Sequence, residues 1–208
     1  MKILIVDDHP ILRKGIREIL HEHYSPLTCF EASNSAEALS LVRKNSMDLI
    51  LLDISLPGGN GLEILKQMRS EGIFTPVLIL SVQPEDQYAI RVLKAGASGY
   101  LKKDSAPEEL INALNILLRG KKYISQNVAD KLAQSVFDPL NSPAYEKLSD
   151  RELQVLKHIA SGKTVSQIAR EISLTVNTIS TYRARILDKL HLKNNAELTR
   201  YALDNSLV

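Results

Sequence analysis

Several features that would assign the protein to a specialised class are missing from its sequence. The 208 residues include one cysteine, Cys29, so no internal disulfide can form, and a reducing cytoplasm is the expected compartment. No apolar run is long enough to span a membrane, and the N-terminus lacks the basic and apolar segments of a signal peptide. Internal repeats and low-complexity tracts are absent as well. We therefore expect a globular, cytoplasmic protein with no membrane partner.

Charge is nearly balanced over the whole chain but unevenly distributed along it. The formal net charge is +2 at pH 7. Residues 1–120 contain 13 Lys and Arg against 15 Asp and Glu, whereas residues 121–208 contain 13 against 9. An acidic first part and a basic second part indicate two modules with different partners, although many proteins that bind no polyanion are as asymmetric.

The first 120 residues alternate between strand and helix patterns. This alternation predicts βαβ units and a doubly wound, five-stranded parallel sheet with helices on both faces. In the strand order 2-1-3-4-5, the first and third strands are central neighbours. The predicted strands are Ile3–Val6, Leu27–Glu31, Leu49–Asp53, Val77–Ser81 and Gly99–Lys102, and the predicted helices lie near 10–22, 35–45, 61–71, 86–96 and 106–119.

A different pattern begins after Gly120. Residues 125–136 predict a short helix, and the following segment "DPLNSPAYEK" has the proline and polar composition of a linker. No strand signal remains after Ser149, and four short helices are predicted there, of which three begin with capping boxes at Ser149, Thr164 and Asn194. The predicted organisation is an α/β domain at 1–120, a linker with a short helix at 121–143, and a small all-α domain at 144–208.

Three carboxylates stand at the ends of the central strands. Asp7 and Asp8 follow the first strand and Asp53 ends the third, at the sheet edge where such folds bind ligands. One interpretation is that Asp7 and Asp8 only mark the strand end and cap the helix beginning near Pro10. The convergence of three charges instead favours a bound cation, and oxygen ligands without a Cys/His cluster favour Mg²⁺ over zinc.

Two more polar residues end strands at the same edge. Ser81 ends the fourth strand and Lys103 follows the fifth. Carboxylates, a divalent cation, a hydroxyl and an ammonium suit phosphoryl chemistry, because one group attacks while the others neutralise the developing charge. Considered singly, Ser81 is typical of a turn and Lys103 is typical of a solvent-exposed lysine. Their convergence with the carboxylates instead favours a phosphoryl site.

This part of the sequence resembles the receiver domains of bacterial two-component response regulators, which have a flavodoxin-like fold. The segments "ILIVDDHP", "DLILLDISLPGGNGLE", "LILS" and "KAGASGYLKKD" match the receiver pattern in order and spacing across residues 1–120. The resemblance implies that Asp53 accepts a phosphoryl group from a histidine of a sensor kinase. It also implies that Mg²⁺ is held directly by Asp8, Asp53 and the Ser55 carbonyl and through water by Asp7, that Ser81 and Tyr100 form a switch pair, and that Lys103 grips the phosphoryl group.

One position departs from the receiver pattern. Many receivers have a proline after the lysine, with a cis peptide bond between the two, but here Asp104 follows Lys103. A cis bond before a residue other than proline costs about 3 kcal/mol. The sequence therefore leaves open the geometry after Lys103 and whether Lys102 or Lys103 reaches the site, although the three-residue step from Tyr100 favours Lys103.

The C-terminal part contains a predicted helix-turn-helix. Val165–Ile172 predicts a short helix, Ser173–Thr175 a turn, and Val176–Leu190 a longer helix that can enter a major groove. A basic face is usually only a solvated helix surface, so charge alone does not establish DNA contact. The longer helix has an apolar stripe of Ile179, Ile186, Leu187 and Leu190, and a polar face of Asn177, Thr178, Ser180, Thr181, Arg183, Arg185 and Lys189.

The pattern "LSDREL.VL..IA.G.T..QIA..I.L..NTISTYRARILDKL" resembles the LuxR-type helix-turn-helix and covers the whole C-terminal part. The resemblance implies that the helix-turn-helix at 165–184 binds double-stranded promoter DNA. It also favours a homodimer on DNA that pairs through the last helix, near Asn194–Ser206, although each residue there could equally pack on its own domain. The implied DNA contacts are Thr178, Ser180, Thr181, Arg183, Arg185 and Lys189, and the implied dimer residues are Ala196, Leu198, Thr199, Ala202 and Leu203.

A receiver followed by this module resembles the NarL/FixJ class of response regulators. The resemblance implies a phosphorylation-dependent transcription regulator that is not an enzyme and whose partners are a sensor kinase and promoter DNA. RNA polymerase is a further candidate partner. One alternative is a regulator that binds DNA whatever its phosphorylation state. Another is a Mg²⁺-dependent phosphatase, which is disfavoured because such enzymes often carry a second acid two residues after the nucleophile, where this chain has Ser55.

Overall fold

The computed structural model describes residues 1–56, 60–105, 107–137 and 143–208. The chain forms two compact units, Met1–Ala133 and Gln134–Val208. Within the described ranges, no helix combines the length and apolarity that crossing a lipid bilayer requires. The predicted boundaries at residues 120 and 143 stay predictions, and residues 138–142 of the predicted linker lie outside the described residues.

The first unit is organised around a five-stranded parallel sheet with the order β2-β1-β3-β4-β5, as predicted. Apolar runs without alternation produce this sheet, since its central strands are buried on both faces. The predicted second strand was one residue early, because its pairing with β1 runs from Lys2 opposite Thr28 to Val6 opposite Ala32. The strands are β1 (Lys2–Val6), β2 (Thr28–Ala32), β3 (Leu49–Asp53), β4 (Val77–Ser81) and β5 (Gly99–Lys102).

Helices cover both faces of the sheet. Side chains of α1 and α5, such as Leu20 and Leu114, form one buried cluster with Ile3, Leu51 and Leu78 of the strands. The alternate strand residues are buried on the opposite face. The helix predicted at 125–136 is confirmed as α6. The helices of this unit are α1 (Pro10–His23), α2 (Ser35–Lys44), α3 (Gly61–Ser70), α4 (Glu85–Lys94) and α5 (Pro107–Leu118), and α6 (Gln126–Phe137) begins in it and ends in the second unit.

The second unit is helical, and α7 packs against α8, α9 and α10. The capping boxes predicted at Ser149 and Thr164 are both formed. Asn194 accepts a hydrogen bond from the Glu197 amide, but the Glu197 carboxylate bonds the amide of Lys193, so the third predicted box is incomplete. A 3-10 helix (Ala144–Lys147) precedes α7 (Asp150–Ala160), α8 (Val165–Glu171), α9 (Val176–Leu190) and α10 (Asn195–Asp204).

Candidate functional site

The ends of β1, β3 and β5 bring two carboxylates and an ammonium group together. Asp7 and Asp53 are each only 1% exposed. Nζ of Lys103 lies 2.7 Å from Oδ2 of Asp53 and 2.6 Å from Oδ2 of Asp7. Asp8, which is partly exposed, lies in the same cluster. The structure therefore assembles the predicted acidic site with Lys103 between two of its carboxylates.

Backbone groups fix the two buried carboxylates in place. Oδ1 of Asp53 accepts a 2.9 Å hydrogen bond from the Ser55 amide, and Oδ1 of Asp7 accepts a 2.7 Å bond from the His9 amide. Nη1 of Arg13 donates to the Asp7 carbonyl at 2.6 Å. Asp53 thus presents Oδ2 toward Lys103 while Oδ1 is held by its own loop.

Burial and the bonds between Lys103 and the carboxylates shift the pKa values of this site. Burial raises the pKa of Asp53 above its ordinary value, and hydrogen bonds from Lys103 and the Ser55 amide oppose that rise. Burial alone would lower the pKa of Lys103, but its bonds to Asp53 and Asp7 outweigh burial and raise that pKa. Lys103 is therefore a fixed positive charge at the acidic site.

The donor set fits a hard divalent cation. Asp7, Asp8, His9 and Asp53 each offer one ligand atom, and these atoms all lie within 4.8 Å of one another. Asp7 Oδ2 and Asp8 Oδ1 are buried and make no hydrogen bond. Asp7 Oδ2 is in an ion pair with Lys103 Nζ at 2.6 Å, and Asp8 Oδ1 lies 2.8 Å from His9 Nδ1. Buried oxygens left without hydrogen bonds are suited to coordinate an ion.

Ser81 and Tyr100 both bond the backbone of Gln83, and their side chains are also within hydrogen-bond contact of each other. Ser81 is fully buried, and its Oγ accepts a 3.0 Å hydrogen bond from the Gln83 amide. The Tyr100 hydroxyl donates to the Gln83 carbonyl at 2.6 Å, and the ring is buried. Burial raises the pKa of Tyr100, so this hydroxyl keeps its proton. The predicted switch pair therefore shares one intermediary residue, which the sequence pattern did not identify.

The backbone conformation after β5 is fixed by a hydrogen bond of the Lys103 amide. Its amide donates to the Ser81 carbonyl at 2.9 Å, which extends the pairing of β5 with β4 by one residue. In the described part of the chain the cis peptide bond is Ser25–Pro26, so the bond between Lys103 and Asp104 is trans. Lys102 is exposed, whereas Lys103 reaches the carboxylates. Of the two lysines that the sequence left open, the structure places Lys103 at the site.

Gly61 shapes the loop that follows Asp53. A Cβ at this position would overlap the carbonyl group of Asp53, and the Gly61 amide donates to the Ile54 carbonyl at 2.9 Å. The start of α3 therefore packs directly on the backbone of Asp53, where only glycine fits. The requirement could not be read from the sequence, because Gly58 and Gly59 are also glycines there, and those two lie outside the described residues.

In the second unit, α9 presents a polar face beyond the turn that follows α8. Ile179, Ile186 and Leu190 of the predicted apolar stripe are buried, and Leu187 is half-buried. Arg185 and Thr181 are exposed. Hydroxyls of Ser180 and Thr181 donate to carbonyls one turn earlier, and the Thr178 hydroxyl bonds that of Thr175. The predicted DNA contacts Thr178, Ser180, Thr181 and Arg185 therefore lie on α9 outside its apolar stripe.

Two basic residues on α9 have partners inside their own domain. Nε of Arg183 bonds Oδ1 of Asn195 at 2.5 Å. Nζ of Lys189 bonds Oε2 of Glu152 at 2.7 Å, and Glu152 is only 2% exposed. Burial opposes ionisation of Glu152, but bonds from Lys189 and Ser149 outweigh it and lower its pKa. Lys189 thus fixes α9 to α7, and its contact with DNA stays a prediction.

The predicted dimer residues divide into two groups on α10. Leu198 and Ala202 are fully buried, at 0% exposure, where α10 packs against α7. The prediction that these two form a dimer surface is wrong, because their side chains belong to the core of their own domain. Ala196 and Leu203 are exposed and Thr199 is half-buried, so for these three residues pairing stays a prediction.

Two family models match the chain. The response regulator receiver domain matches residues 3–115, and the family of bacterial regulatory proteins called luxR matches residues 146–202. The chain therefore belongs to the two-component response regulators that join a receiver domain to a LuxR-type DNA-binding domain, the NarL/FixJ class. Proteins of this class are transcription regulators.

Relatives and solved structures agree with this assignment over the whole length. Response regulator UvrY of Escherichia coli (strain K12) is 34% identical over 208 residues, covering 100% of this chain and 95% of UvrY. RcsB from Salmonella enterica serovar Typhimurium, solved bound to promoter P1flhDC with the phosphomimetic BeF3−, is 28% identical with a TM-score of 0.60, covering 97% of each chain. A structure of two RcsB dimers bound to two parallel DNAs is 26% identical with a TM-score of 0.59 over 97% of each chain.

Proposed function

We propose that Asp53 accepts a phosphoryl group from a sensor histidine kinase and that this modification controls binding of the C-terminal domain to promoter DNA. The observation that carries the proposal is the position of the Asp53 carboxylate. It is buried at a strand end with Oδ2 2.7 Å from Lys103 Nζ and with Asp7 in the same cluster. A carboxylate held between a fixed cation and further acidic ligands is suited to in-line attack on phosphorus.

The transfer forms one bond and breaks one. A carboxylate oxygen of Asp53 attacks the phosphorus of a phosphohistidine on the kinase, which forms an acyl phosphate. The P–N bond breaks, and its electron pair remains on the imidazole nitrogen. Lys103 Nζ pairs with the phosphoryl oxygens as their charge moves toward the protein. The product is a stoichiometrically modified protein rather than a released product, so we expect no enzymatic turnover.

A Mg²⁺ ion completes this site in the proposal. Asp8, Asp53 and the Ser55 carbonyl would hold it directly, and Asp7 would hold it through water. When bound, it neutralises charge on the phosphoryl oxygens. Support comes from the two buried carboxylate oxygens of Asp7 and Asp8 that make no hydrogen bond.

Ser81 and Tyr100 convert the modification into a change of shape. A phosphoryl group on Asp53 offers acceptor oxygens to which the Ser81 hydroxyl can donate, and Oγ must rotate toward them to do so. If Ser81 turns toward the phosphoryl group, its bond to the Gln83 amide breaks, and the Gln83 carbonyl that now holds Tyr100 moves. Tyr100 then takes a second position. This pair supplies the two-state element that the charge biases.

The second domain binds promoter DNA in response to phosphorylation of Asp53. The exposed face of α9, with Arg185 and Thr181, is the proposed contact with the major groove. We propose a homodimer on DNA, because two linked helix-turn-helix domains bind an inverted repeat far more tightly than one domain does. The RcsB dimers on DNA support this assembly. In this proposal the protein acts in the cytoplasm. Bound to a promoter, it would lie close to RNA polymerase.

Phosphorylation by a small donor tests the acceptor residue. Full-length protein is incubated with acetyl phosphate and Mg²⁺ and its intact mass is measured. The wild type should gain one phosphoryl group, and Asp53→Asn should gain none. Asp48→Asn is the matched control, since this exposed carboxylate at the opposite end of β3 accepts a bond from the Lys2 amide that asparagine can also accept. It should be labelled like the wild type.

The same measurement has a clear negative outcome. Labelling of Asp53→Asn to the wild-type extent would move the acceptor to another residue. Removal of divalent cations with EDTA should also stop labelling, because the clustered carboxylates would then repel the incoming phosphoryl group. Undiminished labelling in EDTA would contradict the proposed metal site.

A further inference from the structure

His9 occupies an unusual place between the acidic pair and the first helix. It is the N-cap of α1, yet its side chain makes no capping hydrogen bond. Nδ1 lies 3.0 Å from Asp7 Oδ1 and 2.8 Å from Asp8 Oδ1, while the side chain as a whole is 67% exposed. The imidazole therefore lies against the acidic cluster with one nitrogen and leaves the remainder of its ring in solvent.

Neither packing nor capping explains this orientation. A side chain that is two-thirds exposed contributes little to the core, and an N-cap residue normally accepts a bond from an amide in the first turn. The His9 ring forms a hydrogen bond with Asp7 Oδ1, and its Nδ1 lies 2.8 Å from Asp8 Oδ1. Nδ1 is instead part of the set of four ligand atoms that lie within 4.8 Å of one another.

We propose that His9 adds an imidazole nitrogen to the metal site, so that the site binds Mn²⁺, Co²⁺ or Zn²⁺ more tightly than its oxygen ligands alone would, with little effect on Mg²⁺. This inference rests on the proposed metal site of Asp7, Asp8 and Asp53. A site made only of oxygen atoms suits hard ions, whereas an imidazole raises the affinity for late divalent ions of the first transition row. His9 would then add to the affinity that the carboxylates provide for these ions.

The geometry allows Nδ1 to change partners without rearrangement of the chain. Nδ1 lies 3.0 Å from Asp7 Oδ1 and 2.8 Å from Asp8 Oδ1, so it is already among the oxygen atoms that would hold an ion. The ring can therefore offer Nδ1 to an ion while most of the side chain stays exposed. The His9 amide already bonds Asp7 Oδ1 at 2.7 Å, which holds the backbone beside the cluster.

Metal titration of the unphosphorylated full-length protein separates the roles of the imidazole and the carboxylates. Co²⁺ and Mg²⁺ affinities are measured by calorimetry, and the visible absorption of bound Co²⁺ reports nitrogen ligation. We expect His9→Gln to weaken Co²⁺ binding by roughly tenfold or more and to shift its absorption, with Mg²⁺ affinity changed by less than about twofold. His21→Gln, an exposed histidine in the last turn of α1, is the matched control and should change neither affinity.

The outcomes distinguish this inference from the proposed function. If His9→Gln binds Co²⁺ with wild-type affinity and an unchanged spectrum while Asp8→Asn loses Mg²⁺, the metal site stands and the role of His9 is overturned. If Asp8→Asn and Asp53→Asn bind both ions like the wild type, the proposed metal site itself is wrong, and the inference about His9 is overturned with it. A selective loss of Co²⁺ in His9→Gln supports both.

Discussion

Lys103 balances the acidic cluster before any phosphoryl group arrives. Its side chain is 11% exposed and lies between Asp7 and Asp53, whose side chains are almost fully buried. Removing one partner of a buried ion pair leaves uncompensated charge, which typically costs about 3–5 kcal/mol. In EDTA, we predict that Lys103→Gln lowers the free energy of unfolding of the receiver by roughly 2 kcal/mol or more, as measured by denaturant titration.

The neighbouring lysine provides the comparison for this prediction. Lys102 is exposed, so Lys102→Gln should leave the unfolding free energy of the receiver unchanged. Added Mg²⁺ should restore part of the stability of Lys103→Gln, because a cation again compensates the carboxylates. Equal stability of the two variants in EDTA would show that Lys103 does not compensate the cluster.

His158 gives the second domain a pH dependence. Burial lowers its pKa below the ordinary value of 6.5 and nearby Lys163 lowers it further, while Glu171 opposes the shift. Because the folded pKa lies below the unfolded pKa, the unfolded chain binds more protons between the two values. The stabilising effect of neutral His158 is therefore fully present above pH 6.5 and is lost as the pH falls toward the folded pKa.

The corresponding prediction concerns stability in mildly acidic buffer. The unfolding free energy of the second domain in the full-length protein should be lower at about pH 5.5 than at about pH 7.5. His158→Gln removes the titrating group and should reduce this difference. Denaturant titrations of both proteins at the two pH values measure it. An equal pH dependence in the two proteins would assign the effect to other groups.

At the scale of elements, strand ends were predictable and helix faces were not. Parallel strands of unbroken apolar residues end together, so Asp53, Ser81 and Lys103 could be placed at one edge from sequence alone. Leu198 and Ala202 are four residues apart on α10, a spacing that fits a dimer surface or a core equally well. Only the position of α7 decides between them, and that position depends on the packing of the whole domain.

Three further features of the structure were not predicted from the sequence, because each depends on contacts between elements that are distant along the chain. The requirement for Gly61 arises because α3 packs on the Asp53 carbonyl, and no local pattern encodes that approach. The link of Gln83 to both Ser81 and Tyr100 depends on pairing of β4 with β5. The pairing of Lys189 with Glu152 joins α9 to α7, so a lysine on a basic helix face has a structural partner.

Helix α9 therefore contains basic residues in different environments. Arg185 is exposed, and no ion pair involving it is found within the described ranges. We predict that Arg185→Ala weakens binding to promoter DNA without altering phosphorylation of Asp53. Loss of a base contact should cost about 1–3 kcal/mol at the cognate site, whereas loss of a phosphate contact should weaken binding to all sequences and flatten the salt dependence. Fluorescence anisotropy at several salt concentrations measures both.

Lys189→Gln is the contrasting variant on the same helix. It removes the partner of buried Glu152, so it should lower the thermal stability of the second domain more than Arg185→Ala does. At temperatures where both variants are folded, Lys189→Gln should bind DNA better than Arg185→Ala. The reverse order of affinities would mean that Lys189, not Arg185, supplies the main contact.

At the scale of the whole molecule, the proposed dimer on DNA would have the exposed face of α10 at its interface. Leu203 is 59% exposed, and Leu198 is fully buried. We predict that Leu203→Asp leaves the second domain folded but weakens dimer formation on DNA by the phosphorylated protein. Sedimentation velocity with labelled DNA measures the stoichiometry, and circular dichroism checks the fold.

The buried leucine on the same helix is the comparison. Leu198→Asp should unfold the second domain, because an unpaired charge would replace a core side chain. This outcome replaces the expectation from the sequence that Leu198 lies on the dimer surface. A wild-type stoichiometry for Leu203→Asp would remove Leu203 from the interface, and a phosphorylated wild type that stays monomeric on DNA would contradict the dimer.

The central claim is that phosphorylation of Asp53 controls which DNA the protein occupies. Genome-wide mapping of bound DNA in cells producing the wild type, Asp53→Ala or Asp48→Asn at equal levels tests it most directly. We predict that the sites occupied by the wild type and by Asp48→Asn are largely lost in Asp53→Ala. The same set of sites, occupied to the same extent by Asp53→Ala, would instead show a regulator that binds DNA whatever its phosphorylation state.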